Sequence, residues 1–283
     1  MLRLTQLRKA FGGLVAVDDV SIDLRPGEVF GLLGPNGAGK STTIGMAVGL
    51  IRPDSGQAHL EGHGPTSDPA VRARIGVAPQ TLALYDELSG EENLRFFGSV
   101  FGLRGERLRA RVEAVLEMVG LSPRRRDAVG GYSGGMKRRL NLAAAMIHDP
   151  PLLLLDEPTA GVDPQSRNNI LDLVVELKGQ GRTIVYTTHY MEEAQRLCDR
   201  VAIMDKGKVL AEGPVDALIN AHGGESIVTI ESLAGETRVT TADPVGELAR
   251  RLASPDSAVT GVRVDRPNLE AVFLHLTGRR LRD

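Results

Sequence analysis

Apolar positions near the start of the chain recur with period two. Leu2, Leu4 and Leu7 are followed by Phe11 and a Gly12–Gly13 turn, and Val15, Val17, Val20, Ile22 and Leu24 then alternate with a slip. Such alternation across a turn predicts a strand pair with one buried face. Val29 to Leu33 is a short apolar run ending at Gly34, and a helix is expected from about Lys40. Between about Gln80 and Leu121 the period lengthens. Leu94, Phe97 and Phe101 share one face, and Leu108, Val112, Val115, Leu116 and Val119 follow the spacing of a long amphipathic helix. This predicts a helical subdomain, about 81–150, inserted into an α/β core. Leu152 to Leu155 is apolar throughout, as in a strand covered on both faces of a parallel sheet. A helix at Ile170–Leu177 and a strand at Thr183–Thr188 continue the alternation, which argues for an open, mostly parallel sheet.

Gly223–Gly224 suggests a boundary, dividing 1–222 from 223–283. Beyond it lie strands at Ile227–Ile230 and Thr237–Thr241, a helix at Val245–Leu252, a strand near Val259–Val264, and a last helix with Leu269, Val272, Phe273 and Leu276 on one face. This α+β extension is small for an independent domain and is expected to pack on the main body.

Composition narrows the function. The 283 residues carry a formal net charge of -2, which excludes the strong basic excess of a dedicated nucleic-acid binder. Of the basic clusters Arg124–Arg126 and Lys137–Arg139, the first reads as a solvated face. No apolar run approaches the roughly 18 residues of a membrane span, and Met1–Leu7 lacks a signal-peptide core. A cytoplasmic protein is expected. The single cysteine, Cys198, falls in the apolar-periodic stretch Ala194–Val201 and is assigned to packing.

Gly34-Pro35-Asn36-Gly37-Ala38-Gly39-Lys40-Ser41 matches G-x-x-x-x-G-K-[ST] between a predicted strand and a predicted helix. Glycines let backbone N–H groups converge on phosphate oxygens, and the helix N-terminus adds positive potential. Lys40 is placed to reach the β- and γ-phosphates, and the Ser41 hydroxyl to ligate Mg²⁺. Asp156 and Glu157 follow the buried run directly, at the strand end where such sheets bind ligands. Adjacent residues of an extended chain point to opposite sides. Asp156 can therefore bind Mg²⁺ while Glu157 activates a water; a cap on the next segment is the competing use. Tyr132-Ser133-Gly134-Gly135-Met136 precedes another helix, with Ser133 as a possible cap.

The ordered set resembles the nucleotide-binding domain of the ABC transporter family over residues 1 to about 220. The phosphate loop through Thr42 is similar to its Walker A motif, and Gln80 after Ile75–Pro79 to its Q-loop. Ser133–Gly135 is similar to its signature, Leu152–Glu157 to its Walker B with the catalytic glutamate, Ala160–Asp163 to its D-loop, and His189 to its switch histidine. Tyr132 and Met136 depart from the commonest LSGGQ ends, and Gly161–Val162 from the frequent Ala-Leu. The form YSGGMKRRL and the ending Asn268–Gly278 are similar to those of drug-resistance and type-2 exporters.

The resemblance implies a P-loop NTPase core with a mostly parallel sheet, an N-terminal antiparallel β subdomain and the inserted helical subdomain. It implies an ATPase that takes ATP and Mg²⁺ and works as a head-to-tail dimer, either a homodimer or a heterodimer with a close paralogue. Each site would pair Walker A of one chain with Ser133, Gly134 and Gly135 of the other. Glu157, His189 and Gln80 would serve catalysis; Ser41, Gln80 and Asp156 would serve the metal. Phe11 would stack on adenine, and Asp163 would brace the interface. A transmembrane permease would hold the chain at the cytoplasmic face, through a groove formed by Leu82–Leu103, and the cargo would be exported drugs, lipids or other hydrophobic compounds. Leu82, Leu84, Tyr85 and Leu88 could equally belong to the core of the helical subdomain. The alternative is a soluble ABC ATPase of an iron–sulfur assembly system.

Overall fold

The computed structural model describes residues 1–233, 235–253 and 259–278. These divide into two compact units, Met1–Glu212 and Gly213–Asp283. In chain order the elements are β1 (Leu2–Phe11), β2 (Leu14–Asp23), β3 (Val29–Leu33), α1 (Lys40–Ala47), β4 (Ser55–Leu60), β5 (Gly64–Pro65), α2 (Pro69–Arg72), β6 (Ile75–Ala78), α3 (Gly90–Val100), α4 (Gly105–Met118), α5 (Gly134–Met146), β7 (Leu152–Asp156), α6 (Pro164–Gly179), β8 (Thr183–Thr188), α7 (Met191–Leu197), β9 (Arg200–Asp205), β10 (Lys208–Pro214), α8 (Val215–His222), β11 (Ser226–Ser232), β12 (Gly235–Thr241), α9 (Pro244–Leu252), β13 (Val259–Asp265) and α10 (Leu269–Thr277).

The first unit holds two sheets. An antiparallel one runs β2-β1-β4-β5. The alternation slip expected near the N-terminus appears as register shifts along β1 and β2, with Leu7 opposite Val20. The larger sheet runs β10-β9-β3-β8-β7-β6, and its β6, β7, β8, β3 and β9 are mutually parallel. Every residue of β3, β7 and β8 is buried, which is why these strands read as continuous apolar runs or, in β8, as Thr-rich β-branched sequence. Leu2, Leu7, Val17 and Val20 pack with Phe30, Leu32, Met46 and Leu154 in one core, so the small sheet closes over one face of the large one around α1. Helices α3, α4 and α5 form the helical insertion; α3 opens with a reciprocal Ser89–Glu92 cap, and Leu94, Val115, Leu116 and Leu140 are among the fully buried side chains of the insertion.

Some elements were illegible in the apolar pattern. β4 buries only Ala58 and Leu60, too few for a period to show. The stretch Ala194–Val201 is not one helix: α7 stops at Leu197 and Val201 already lies in β9. Cys198, at the join, is buried against the backbone of Gly31, where a side chain would come within 2.9 Å of its sulfur. The second unit is a three-stranded antiparallel sheet, β12-β11-β13, with α8, α9 and α10. Helix α8 groups with this unit and packs on α10, so Gly223–Gly224 ends a helix inside the unit rather than opening it.

Candidate functional site

Four adjacent parallel strands deliver the site. β6, β7, β8 and β3 lie side by side in register, with Ala78 opposite Leu155, Asp156 opposite Thr187, and Leu33 opposite Thr188. Their C-terminal ends lead into Gln80, Asp156–Glu157, His189 and the Gly34–Lys40 loop respectively. Ends of neighbouring parallel strands are where open α/β sheets gather ligand-binding groups.

The loop owes its shape to glycine. Gly34 (φ 156) and Gly39 (φ 103) adopt left-handed backbone, and a Cβ there would lie 2.3 Å from Met204 O and 2.4 Å from Ala16 O. Helix α1 starts at Lys40 with no side-chain cap and no acidic residue in its first turn, so no carboxylate of the helix itself opposes an anion at that end. Lys40 is buried, and its ammonium donates to Gly34 O at 2.8 Å and Pro35 O at 3.1 Å. Ser41 is exposed on the first turn.

Glu157 is the centre of the cluster. It is 6% exposed, and its Oε1 lies 3.1 Å from Lys40 Nζ. Gln80 Nε2 donates to Oε2 at 3.2 Å, and His189 Nδ1 approaches the same oxygen at 3.3 Å without a hydrogen bond. Its φ is 45°, so the extended chain ends at Asp156. The divergence of the two carboxylates is therefore not the pleat alternation expected from an extended pair; a left-handed residue turns the chain between them. Asp156, 6% exposed, accepts from Thr187 Oγ1 at 2.5 Å.

The structure thus brings together Gly34, Lys40, Gln80, Asp156, Glu157 and His189. Phe11, Ser133, Gly134 and Gly135 make no hydrogen bond or ion pair with this cluster among the described residues. Ser133 caps α5, its hydroxyl accepting from Met136 N at 3.2 Å. The two glycines beside it differ. A Cβ on Gly135 would fall 2.0 Å from Ser166 Oγ, whereas one on Gly134 would meet only Gly161 O at 3.9 Å. Asp163 caps α6, accepting from Ser166 N at 2.9 Å, and this bonding holds its carboxyl below the usual range. Phe11 is 50% exposed, with Lys9 Nζ 5.6 Å from its ring centre, so it is not a core side chain.

Two buried groups were missed by the sequence reading. Thr187 donates to Asp156 and accepts Glu157 N–H at 2.9 Å, fixing the Asp156 carboxylate and the Glu157 backbone from the next strand. Glu193, 3% exposed, accepts from the hydroxyls of Thr159 (2.8 Å), Tyr186 (2.9 Å) and Thr188 (2.9 Å), tying α7 to the segments after β7 and β8. Burial, then the Glu193 charge, pushes the Tyr186 hydroxyl well above its ordinary pKa. The available signal was an acid set among Met191, Ala194 and Leu197 on the buried side of α7.

An apolar groove of about 540 Å³ is lined by Val48, Leu50, Ile75, Val77, Val100, Phe101 and Leu103, together with Arg72, Arg107 and His148. Of the predicted stretch Leu82–Leu103 only the far end lines it. Leu82, Leu84, Tyr85 and Leu88 are outside it and are exposed or half-buried, so they are not core either.

Residues 17–160 match the family model described as ABC transporter. The chain is 42% identical to the Linearmycin resistance ATP-binding protein LnrL of Bacillus subtilis (strain 168), covering 100% of both chains. It is 42% identical to the Nod factor export ATP-binding protein I of Cupriavidus metallidurans, covering 100% of this chain and 99% of that one. A dimeric post-hydrolysis state of an ATP-binding cassette bound to ADP and Pi superposes with a TM-score of 0.69 at 26% identity, over 76% of this chain and 98% of that one.

Proposed function

The chain belongs to the ABC transporter ATP-binding family, and from that premise we infer how its residues share the reaction. It is the ATP-binding, ATP-hydrolysing subunit of an ABC transporter. The observation that carries the residue assignment is the convergence of Lys40, Gln80, Asp156, Glu157 and His189 on the ends of four adjacent strands.

The glycine loop and the uncapped start of α1 bind the phosphates through backbone N–H groups, with Lys40 supplying a buried positive charge. Glu157 accepts the proton of the attacking water, and Gln80 and His189 keep its carboxylate in one orientation. Ser41, Asp156 and Gln80 offer hydroxyl, carboxylate and amide oxygens, a donor set that suits Mg²⁺. That ion, when bound, neutralises charge on the phosphates. Phe11, exposed beside the Gly12–Gly13 turn, stacks on adenine.

Two chains associate head to tail, each presenting the N-terminus of α5 to the nucleotide of the other. The open space beyond Gly134 supports this: no part of the chain itself requires a glycine there. ATP joins the two chains, and its hydrolysis releases them. The groove ending at Val100–Leu103 receives an apolar helical segment of a transmembrane permease, which holds the chain at the cytoplasmic face of the membrane. Among the described residues no helix is long and apolar enough to cross a membrane itself.

Relatives named for linearmycin resistance and for Nod factor export support an export role, with drugs, lipids or other hydrophobic compounds as the cargo we infer, and they do not favour an iron–sulfur assembly role. Inside-out membrane vesicles carrying the chain and its permease test this reading. ATP should drive accumulation of a hydrophobic dye inside them, and Lys40→Ala should abolish it. ATP-driven loss of preloaded dye would overturn export.

A further inference from the structure

Arg138 lies on α5, one turn after Gly134. Its Nε donates to Ala160 O at 3.3 Å, and a second guanidinium nitrogen donates to Gln80 O. Both acceptors lead to Glu157. Gln80 reaches Glu157 through its side-chain amide at 3.2 Å, and Ala160 through its backbone N–H, which donates to Glu157 O at 3.0 Å. The four residues therefore form a closed ring, Arg138–Gln80–Glu157–Ala160, in which Glu157 is approached from two sides and Arg138 closes the far edge. A planar guanidinium carries its N–H donors in a fixed fork, so two carbonyls on different segments are held in one geometry. Burial lowers the guanidinium pKa, while the Glu157 and Asp156 charges oppose that shift, so the group is charged and partly desolvated beside the cluster.

We propose that Arg138 is a positioning residue for hydrolysis, holding the Gln80 segment and the Glu157–Ala160 turn to the helix whose N-terminus carries Ser133. This rests on the assignment of Glu157 and Gln80 above. The ring gives the two ends of the dimeric site a physical connection. Glu157 and Gln80 act on the chain's own nucleotide, while Ser133 and Gly134 face the partner's, and Arg138 ties the first pair to the helix of the second. A shift of α5 on closure is passed to the carbonyls of Gln80 and Ala160 through one side chain. The sequence shows Arg138 only as part of the basic cluster Lys137–Arg139; its two carbonyl partners, 58 and 22 residues away, were out of sight.

The test uses the full chain with Arg138→Met, which keeps the stem and removes the donors, and Arg138→Lys, which keeps the charge and N–H donors on a single nitrogen. Arg138→Met should lower kcat about ten- to hundredfold, with KM for ATP within about threefold, because displacement of catalytic groups by an ångström costs rate more than binding. Arg138→Lys should recover part of that loss. Hydrogen exchange of the amides in segments 79–84 and 158–163 should rise in Arg138→Met while β7 and β8 stay protected. Wild-type exchange in both segments would overturn the proposal, and so would wild-type kcat in Arg138→Met. Equal falls in kcat and melting temperature in both variants, with exchange raised across the whole chain, would show a merely structural residue and overturn it as well. Exchange needs no turnover, so it reads the positioning role even if the assignment of Glu157 fails. Should Arg138→Met not fold, Arg138→Lys with unchanged exchange in both segments gives the refutation.

Discussion

Lys40 Nζ and Glu157 Oε1 lie 3.1 Å apart, and both side chains are more than nine-tenths buried. One group comes from the loop after β3 and the other from the end of β7, with β8 between them. A buried pair of this kind ties phosphate binding to water activation, because neither charge can be removed without leaving the other desolvated.

Glu157→Gln should therefore have two effects. Loss of the base lowers the hydrolysis rate by on the order of 10²–10⁴. Loss of the partner charge leaves the Lys40 ammonium with only two carbonyls and lowers the melting temperature. ATP should then persist between two chains, and size-exclusion chromatography should show a dimer with ATP that returns to monomer when Ser133→Arg is added. Phosphate release at the wild-type rate would remove Glu157 from the mechanism.

Lys40→Ala should abolish useful ATP affinity while the chain stays folded. Equilibrium binding of a fluorescent ATP analogue and circular dichroism measure the two effects. Unchanged affinity would refute the phosphate role.

The neighbouring glycines of the α5 N-terminus should separate. Gly135→Ala forces a methyl against Ser166 and should destabilise the chain by about 1–3 kcal/mol. Gly134→Ala meets open space, so denaturant unfolding of the monomer should be near wild type, while ATP-driven dimerisation of the Glu157→Gln background should weaken. A Gly134→Ala chain that dimerises normally would argue against a nucleotide approaching that helix from the partner.

Every residue assigned to the nucleotide lies in the unit Met1–Glu212. A chain ending at Glu212 should retain ATP affinity within a few-fold of the full chain, by calorimetry. A folded truncation that fails to bind would mean that the second unit supports the site.

His148 stacks on Phe101 with ring centres 3.6 Å apart, and burial, followed by repulsion from Arg111, lowers its pKa to about 4. An unfolded chain takes up this proton near pH 6.5, earlier than the folded one, so stability falls as pH drops from about 6.5 to about 4 and levels below that. Allowing for partial exposure, the loss is on the order of 2 kcal/mol. Thermal melts between pH 7 and pH 4 should show a shallower fall for His148→Phe than for wild type; parallel curves would refute the assignment.

Much of the architecture was legible because local physics writes it locally. A strand buried on both faces favours a near-continuous apolar or β-branched run, as Leu152–Leu155 is, and a phosphate loop must put glycines and a lysine at fixed spacing, as Gly34–Lys40 does. Those constraints act within a few residues, so they survive in the order of the chain. Strand β4 and the edge strand β5 left little trace because they bury too few side chains to impose a period.

Tertiary structure alone decided what meets what. Strand order puts β8 between β3 and β7, and so brings residues 40, 157 and 189 within hydrogen-bonding range across more than a hundred positions. It turned Phe11 outward, placed Thr187 against the Asp156 carboxylate and the Glu157 backbone, and gave Arg138 and Glu193 partners that no spacing announces. The reason is physical. Propensity and amphipathicity depend on neighbours in sequence, whereas hydrogen-bond partnership and desolvation depend on neighbours in space, and only the packing of the sheet determines those.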